Sequence, residues 1–197
     1  MHDPLAPHAP DGAARAAPGD EALVRAAQGG DAAAFGRLYE RYFDAIYGYL
    51  AFHLGGPDEA EDAAGQVFLR ALEALPRYRW TGVPVRAWLY RIAHNLAVDR
   101  RRHRMRHPVT ELLDGHAGGR ALGDPAGWLG EKVAREALLA AVDDLTAAQR
   151  QVILLKFAAG LSNAEAAAAL GRTEGAVKAL QHAGLQGLHR RLAGRRP

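Results

Sequence analysis

The residues with the clearest chemical potential form an arginine-rich block at 100–106, RRRHRMR. The block holds five Arg and one His, with no acidic side chain among them. It follows a stretch whose apolar residues recur every three or four positions, which predicts an amphipathic helix. A rigid helix that ends in this many guanidinium groups offers a long cationic surface, and the most common anion that needs one is a nucleic-acid backbone. A solvated helix end that complements the helix dipole is the alternative.

The helix that carries this block is predicted to bury one stripe and expose the opposite side. The helical repeat places Val85, Trp88, Leu89, Ile92, Ala93 and Leu96 on the buried stripe, and Arg86, Tyr90, Arg91, His94 and Asn95 on the polar side. A core role is therefore favoured for Trp88 over a direct role in binding.

Composition excludes several classes of function. The 197 residues suit one medium domain or two small ones, and the net charge of +3 is too small for a general polycation. The absence of Cys excludes disulfides, thiolate zinc sites and cysteine nucleophiles, and the nine His show no metal-ligand spacing. We therefore expect no metal and no cofactor. With no membrane-length apolar run and no signal peptide, the protein is expected to be cytoplasmic, without membrane insertion.

The first part of the chain predicts a leader followed by a helical domain. Residues 1–19 are rich in Pro, Ala and Gly, which predicts a disordered leader, and the first domain is expected over 20–106. Asp31 is expected to cap the second helix and Pro57 to open the third. Acidic residues crowd the first turns of the third helix: Asp58, Glu59, Glu61 and Asp62. Acidic side chains stabilise a helix N-terminus through the helix dipole, without any partner. A capping role and a binding role for these residues therefore stay equally open.

The second part predicts a linker and another helical domain. Residues 107–130 lack periodicity and are taken as a flexible linker, which leaves a second domain over 131–197. Thr146–Gln149 and Ser162–Glu165 have the spacing of capping boxes. The predicted buried residues of its first two helices are Val133, Ala137, Leu138, Ala141, Val142, Val152, Ile153, Leu155 and Phe157.

A short break that contains Gly171 separates the last two predicted helices. Helix, three-residue break and helix is the arrangement of a helix-turn-helix, in which the second helix enters the major groove. Thr173 is expected to cap that helix, with Val177, Leu180 and Leu188 facing inward. An ordinary helical hairpin is the alternative. No strand-like alternation occurs, so the predicted fold is all-α, with two small helical domains.

These patterns together resemble the extracytoplasmic-function (ECF) RNA polymerase sigma factors of the sigma-70 family. AEDAAGQVFLRALEALPRYRW and RAWLYRIAHNLAVDRRRHR are similar to their region 2, and LTAAQRQVILLKFAAGLSNAEAAAALGRTEGAVKALQH to region 4. The resemblance covers about 20–106 and 131–192. It implies a non-enzymatic factor that binds core RNA polymerase at the clamp helices of β′ and the flap of β. Such a factor reads the −10 and −35 promoter elements and is held by an anti-sigma factor.

The resemblance also implies which residues make these contacts. The expected polymerase-binding residues are Glu61, Asp62, Gln66 and Phe68. The expected −10 DNA-binding residues are Trp80, Asn95, Asp99, Arg100, Arg101 and Arg104. The expected −35 DNA-binding residues are Arg172, Thr173, Glu174, Lys178, Gln181 and His182.

The chain departs from the family pattern at a few positions. Gly65 replaces a residue that is usually polar, and Leu180 and Ala183 stand where the family usually has a basic side chain. Gly184 and Gly187 are each expected to destabilise the middle of their helix by roughly 1 kcal/mol relative to Ala.

Two other functions are compatible with the residues. A stand-alone helix-turn-helix regulator would bind a palindromic operator as a dimer. An RNA-binding protein would use the arginine block on a single strand, although the chain shows no aromatic β-surface on which bases could stack. The acidic third helix and the linker favour the polymerase subunit, because a stand-alone regulator needs neither.

Overall fold

The computed structural model describes residues 19–54, 56–80, 82–106 and 137–193. The predicted leader and the predicted linker fall outside these ranges, apart from Gly19. Within them every regular element is helical. The all-α prediction is therefore confirmed.

The first helical unit contains four α-helices. They are α1 (Asp20–Gln28), α2 (Ala32–His53), α3 (Pro57–Ala74) and α4 (Val85–Arg106), with a 3₁₀ turn at Leu75–Arg77. The side chain of Asp31 accepts the N–H of Ala34 at 3.1 Å, and Pro57 occupies the first turn of α3. Both predicted helix starts are therefore confirmed.

The second unit contains helical residues 137–143, here α5, and three further helices. These are α6 (Ala147–Ile153), which continues into a π-helical turn at Leu154–Ala158, α7 (Asn163–Leu170) and α8 (Glu174–Ala193). Both predicted capping boxes form, at Thr146–Gln149 and at Ser162–Glu165.

The connection between α7 and α8 confirms the predicted helix-turn-helix. Gly171 ends α7 in the left-handed region at φ 62°, which favours glycine because a side chain is strained there. The hydroxyl of Thr173 then accepts the N–H of Ala176 at 3.2 Å and caps α8. The break between the two helices thus spans only Gly171 to Thr173.

Two predicted core residues are instead exposed. Phe157 is 60% exposed because the wider π-helical turn changes the direction of the side chains that follow Leu155. Leu138 is 45% exposed, one turn before the buried Ala141 and Val142, so burial on α5 begins only where that helix meets the rest of the core.

The two helical units share a hydrophobic core. One continuous cluster joins Ile46 and Leu89 of the first unit to Val152 and Val177 of the second. A smaller cluster underneath α1 includes Leu23 and belongs to the first unit alone. None of the described helices is both long and apolar enough to cross a membrane.

The shared core corrects the predicted polar side of α4. Tyr90 was expected to be exposed, yet it is 2% exposed and its hydroxyl donates to the carbonyl of Ala45 at 3.3 Å. Arg86 and His94, on the same side, are half-buried, whereas Asn95 is exposed as predicted. The prediction failed for Tyr90 because α2 covers it, with the rings of Tyr49 and Tyr90 5.4 Å apart, and a helix read in isolation does not show a contact with a distant segment.

Close packing of α8 explains the two glycines that were expected to destabilise it. A Cβ atom on Gly184 would lie 2.9 Å from Cγ1 of Ile153, and one on Gly187 would lie 2.9 Å from Cδ2 of Leu145. Glycine therefore allows α8 to approach α6 and the turn before it more closely than a residue with a side chain would. The low helix propensity of these two glycines is offset by the closer packing of α8 on its neighbours.

Candidate nucleic-acid and protein interface

The acidic side of α3 lies directly beside the arginine block of α4. Asp62 accepts a hydrogen bond from Nη2 of Arg100 at 2.5 Å and another from Nε2 of Gln66 at 3.3 Å. Asp62 and Gln66 therefore share one side of α3, as their spacing predicted. The Asp62 side chain is 63% exposed, so it stays accessible to a partner while it pairs with Arg100.

A second carboxylate extends this contact between α3 and α4. Glu59 forms an ion pair with Arg104, and its backbone carbonyl accepts from Nη1 of Arg100 at 3.0 Å. Two of the five arginines in the block are thus neutralised within the protein. Sequence reasoning missed the pairing because the partners are 38 and 45 residues apart, and only the packing of α3 on α4 brings them together.

The remaining arginines of the block face solvent. Arg101, Arg102 and Arg106 are exposed and form no ion pair with a residue that the structure describes. They continue the cationic surface beyond the paired arginines. A flexible anion such as a nucleic-acid backbone can reach these three groups without displacing an internal partner.

Phe68 is the one predicted polymerase-binding residue that is buried. Its side chain is 3% exposed and its ring lies edge-on to Tyr39, with the ring centres 4.8 Å apart. Phe68 therefore stabilises the packing of α3 on α2, and its surface is not accessible to a partner in this conformation. Glu61, by contrast, is exposed on α3.

The predicted −10 residues Trp80, Asn95 and Asp99 are exposed. Trp80 lies in the segment between the 3₁₀ turn and α4, where it is 37% exposed. Asn95 and Asp99 stand one helical turn apart on α4. Trp88 is half-buried and packs against Tyr78 with ring centres 4.5 Å apart, which agrees with the core role that was favoured for it.

The second helix of the helix-turn-helix exposes its leading end. Arg172, Thr173, Glu174 and Lys178 are exposed, while Val177 is fully buried and anchors the helix. Farther along, Gln181 is half-buried, and His182 is exposed with its Nε2 atom 2.9 Å from Nε2 of Gln186. The polar residues that were predicted to reach DNA therefore lie on the exposed side of α8, except that Gln181 lies at the edge of the buried side.

Comparison with known proteins identifies the family. Residues 38–107 match Sigma-70 region 2, and residues 135–186 match Sigma-70, region 4. The chain is 34% identical over 174 residues to the ECF RNA polymerase sigma factor SigD of Mycobacterium tuberculosis, with 85% of this chain and 81% of that protein covered. The chain belongs to the ECF sigma factors.

One further relative agrees with this family, and one solved structure has a similar fold. The chain is 40% identical over 173 residues to the ECF RNA polymerase sigma factor BldN of Streptomyces coelicolor, a match that covers 86% of this chain and 64% of that longer protein. The fold is similar to the sigma factor RpoE of Bartonella quintana, solved with the anti-sigma factor NepR. That likeness has a TM-score of 0.66 at 22% identity and covers 82% of this chain and 98% of that one.

In this sigma factor, two histidines lie where the helical units meet. Burial lowers the pKa of His53 to about 4, even though its Nδ1 atom lies 2.8 Å from the carbonyl of Tyr49. Burial also lowers the pKa of His94, and the charge of Arg172 adds to this effect. Both rings are therefore neutral at pH 7. Among the described residues, no group of three or more His, Asp or Glu side chains is placed to hold a metal ion.

The sigma factor also contains an ion pair between its two helical units. Nε of Arg86 on α4 donates to Oε1 of Glu165 at 2.6 Å, and Nη2 donates to Oε2 at 2.8 Å. The Glu165 side chain is only 6% exposed. Burial by itself would raise the pKa of Glu165, but hydrogen bonds from Arg86 and Ser162 outweigh that effect and lower the pKa to about 2. Sequence reasoning assigned Glu165 to a cap and gave Arg86 no partner.

Proposed function

We propose that this chain binds core RNA polymerase and directs it to promoters by reading the −10 element with its first domain and the −35 element with its second. It acts in the cytoplasm and performs no catalysis of its own. The observation that carries the proposal is the presence, in one chain, of an accessible acidic helix beside an arginine block and of a helix-turn-helix with an exposed leading end. The family match supports the same assignment.

The contacts that we propose with polymerase and DNA are assigned to predicted site residues whose side chains are exposed or half-buried. Glu61, Asp62 and Gln66 present a polar, acidic surface of α3 to the clamp helices of β′, while the second domain contacts the flap of β. Trp80, Asn95 and Asp99, together with the arginine block, are assigned to the −10 strand. Asn95 is the candidate for contact with a base that has left the stack, because it is exposed and lies on the rigid helix α4.

Transcription with purified components tests the function. The chain and core polymerase are incubated with a random promoter library, and the initiated transcripts are sequenced. We expect selected templates to share two separated elements, and we expect no specific DNA retention by the chain without core polymerase. Binding of the free chain to a palindromic site as a dimer, with no effect on polymerase, would instead support the stand-alone regulator.

An anti-sigma factor is the proposed regulatory partner. The chain has no cysteine that could sense oxidants, so a signal must enter through a bound protein or another part of the structure. The structurally similar RpoE was solved with an anti-sigma factor, which supports this class of partner. Such a protein would bind across both domains.

Two substitutions in α8 separate contacts to the DNA backbone from contacts to bases. Lys178 is exposed near the leading end, and Gln181 lies one turn farther on. We expect Lys178→Ala to weaken binding to all −35 sequences alike and to flatten the salt dependence, as the loss of a phosphate contact does. We expect Gln181→Ala to reduce discrimination at one base pair by about 1–3 kcal/mol.

Binding of the holoenzyme to a −35 library at two salt concentrations measures both effects. Gln151→Ala, half-buried like Gln181 but on α6 and outside the predicted −35 residues, is the control for loss of an amide side chain. If Gln181→Ala leaves the preference unchanged at every position, Gln181 does not read a base.

A further inference from the structure

Gln28, the last residue of α1, is hydrogen-bonded to the segment that leads into α4. Its Nε2 atom donates to the carbonyl of Leu75 at 2.9 Å and to the carbonyl of Tyr78 at 2.7 Å. These partners are 47 and 50 residues away along the chain. Both N–H bonds of one amide are therefore used on two backbone carbonyls. The segment is thus tied to α1 at the first residue of the 3₁₀ turn and at the residue that follows the turn.

The packing of α1 does not depend on the Gln28 side chain. Gln28 is exposed, whereas Leu23 and Val24 are 1% and 2% exposed and anchor α1 in the smaller hydrophobic cluster. Leu75 belongs to the same cluster, so the start of the 3₁₀ turn is held by burial as well. Loss of the two hydrogen bonds would therefore leave the core under α1 intact.

The backbone after the 3₁₀ turn has no regular structure of its own, and Trp80 within it is exposed. Two contacts fix this part of the chain. The ring of Tyr78 packs against the ring of Trp88, which holds the side chain, and Gln28 binds the Tyr78 carbonyl, which holds the backbone. Gln28 therefore helps to set the direction in which the chain continues towards Trp80.

The same segment lines an open cavity of about 320 Å³ beside α4. The segment contributes Arg77, Tyr78 and Arg79 to the lining, and α4 contributes Trp88 and Arg91. Guanidinium groups suit the phosphates of a nucleic-acid strand, and aromatic rings suit its bases. Displacement of the segment would move three of these groups relative to the two on α4. The spacing of cationic and aromatic groups thus depends on where the segment is held.

We propose that Gln28 is a positioning residue for promoter recognition: from α1, it holds the backbone between Leu75 and Trp80 in the geometry that reads the −10 element. The inference rests on the proposed function, because it takes Trp80 as part of the −10 site. Neither the predicted site residues nor the match to Sigma-70 region 2, which begins at residue 38, includes any part of α1. Gln28 acts through the segment and makes no contact with DNA itself.

Hydrogen exchange of the free full-length chain tests whether Gln28 holds the segment. The N–H of Tyr78 donates to the carbonyl of Leu75 at 3.0 Å, so its exchange reports on the same turn. We expect the amides of residues 77–80 to exchange about fivefold faster in Gln28→Ala, because a hydrogen bond of this kind shifts a local equilibrium by about that factor. Gln28→Glu keeps the size of the side chain but removes both N–H donors, and the same result is expected.

Arg25→Ala is the matched control for these two variants. Arg25 is exposed on the same helix, and its ion pair with Glu21 lies within α1. Its loss is expected to leave exchange in the segment unchanged. Unchanged exchange in Gln28→Ala, or protection retained in Gln28→Glu, would overturn the proposal. Faster exchange throughout the first unit would also overturn it, because Gln28 would then stabilise the whole unit.

Transcription by the complete holoenzyme tests the link to promoter recognition. Templates are randomised either in the −10 element or in the −35 element, and initiated transcripts are sequenced. We expect Gln28→Ala to reduce the ratio between preferred and disfavoured −10 bases by about fivefold and to leave the −35 preference unchanged. A purely structural defect would lower both preferences together, since it would reduce the amount of active protein on every template.

Two outcomes separate this inference from the proposed function. An unchanged −10 preference despite faster exchange, or an equal loss of both preferences, would overturn the role of Gln28 in recognition while the chain still acts as a sigma factor. If neither the original chain nor Arg25→Ala initiates on any template, the proposed function itself fails. Faster exchange in Gln28→Ala would then show only that α1 holds the segment, and the recognition role would fall with the function.

Discussion

Asp62→Arg is expected to weaken binding of this sigma factor to core polymerase by at least about 100-fold. The proposed surface of α3 is acidic, and reversal of one accessible charge places like charges against a basic partner surface, which costs several kcal/mol. The fold should be nearly unaffected, because the Asp62 side chain is 63% exposed. Loss of its pair with Arg100 therefore removes about 1 kcal/mol or less of stability.

Binding to fluorescently labelled core polymerase, with thermal unfolding measured in parallel, tests this expectation. Asp44→Arg makes the same change of charge at an exposed position on α2 and is expected to bind normally. Arg100→Ala breaks the internal pair from its other side and is also expected to retain core binding. Normal binding by Asp62→Arg would remove Asp62 from the proposed interface, and a large loss of stability would make its role structural.

Gly184→Val is expected to lower the free energy of unfolding of the second unit by about 3 kcal/mol. The first added carbon would already lie 2.9 Å from Cγ1 of Ile153 and 3.2 Å from its Cδ1. Since Ile153 is itself 5% exposed, it cannot move into solvent without losing its own packing. The branched side chain therefore forces α8 away from α6.

Chemical denaturation of matched variants measures this effect. Gly175→Val lies on the same helix, and a Cβ there would meet nothing within 4 Å, so little change is expected. Shortening the neighbour in the double variant Gly184→Val/Ile153→Ala should recover part of the lost stability, which appears as a coupling energy between the two sites. Equal effects at Gly175 and Gly184 would contradict close packing as the reason for glycine at position 184.

Most helix boundaries could be predicted because their signals are local. Asp31, Pro57, Thr146, Ser162 and Thr173 each act within three or four residues of their own position, so the printed sequence contains the whole interaction. The Asp62–Gln66 surface was predictable for the same reason. These features need no knowledge of how one helix packs on another.

Features that depend on packing between helices were predicted poorly. Tyr90 was misplaced because α2 covers it, and Phe157 was misplaced because a π-helical turn changed its direction. The partners of Arg86 and Arg100 were missed because helical periodicity gives the side of a helix but not which helix it meets. The destabilisation expected from Gly184 came from helix propensity, which is a local property. The reason for a glycine at that position is instead the close approach of Ile153 from another helix.

The internal pairing of Arg100 and Arg104 also changes how mobile ions take part in DNA binding. A phosphate that accepts an arginine releases a condensed cation, which is the main entropic gain in such association. When that arginine first leaves a carboxylate, however, the unpaired Asp62 or Glu59 attracts a cation from solution, so the exchange yields little net release. If a basic surface of the polymerase already pairs with those carboxylates, they attract no cation, and DNA binding again gives the full net release of cations. With the proposed contacts, the ions around α3 are therefore expected to link attachment to the polymerase with affinity for the promoter.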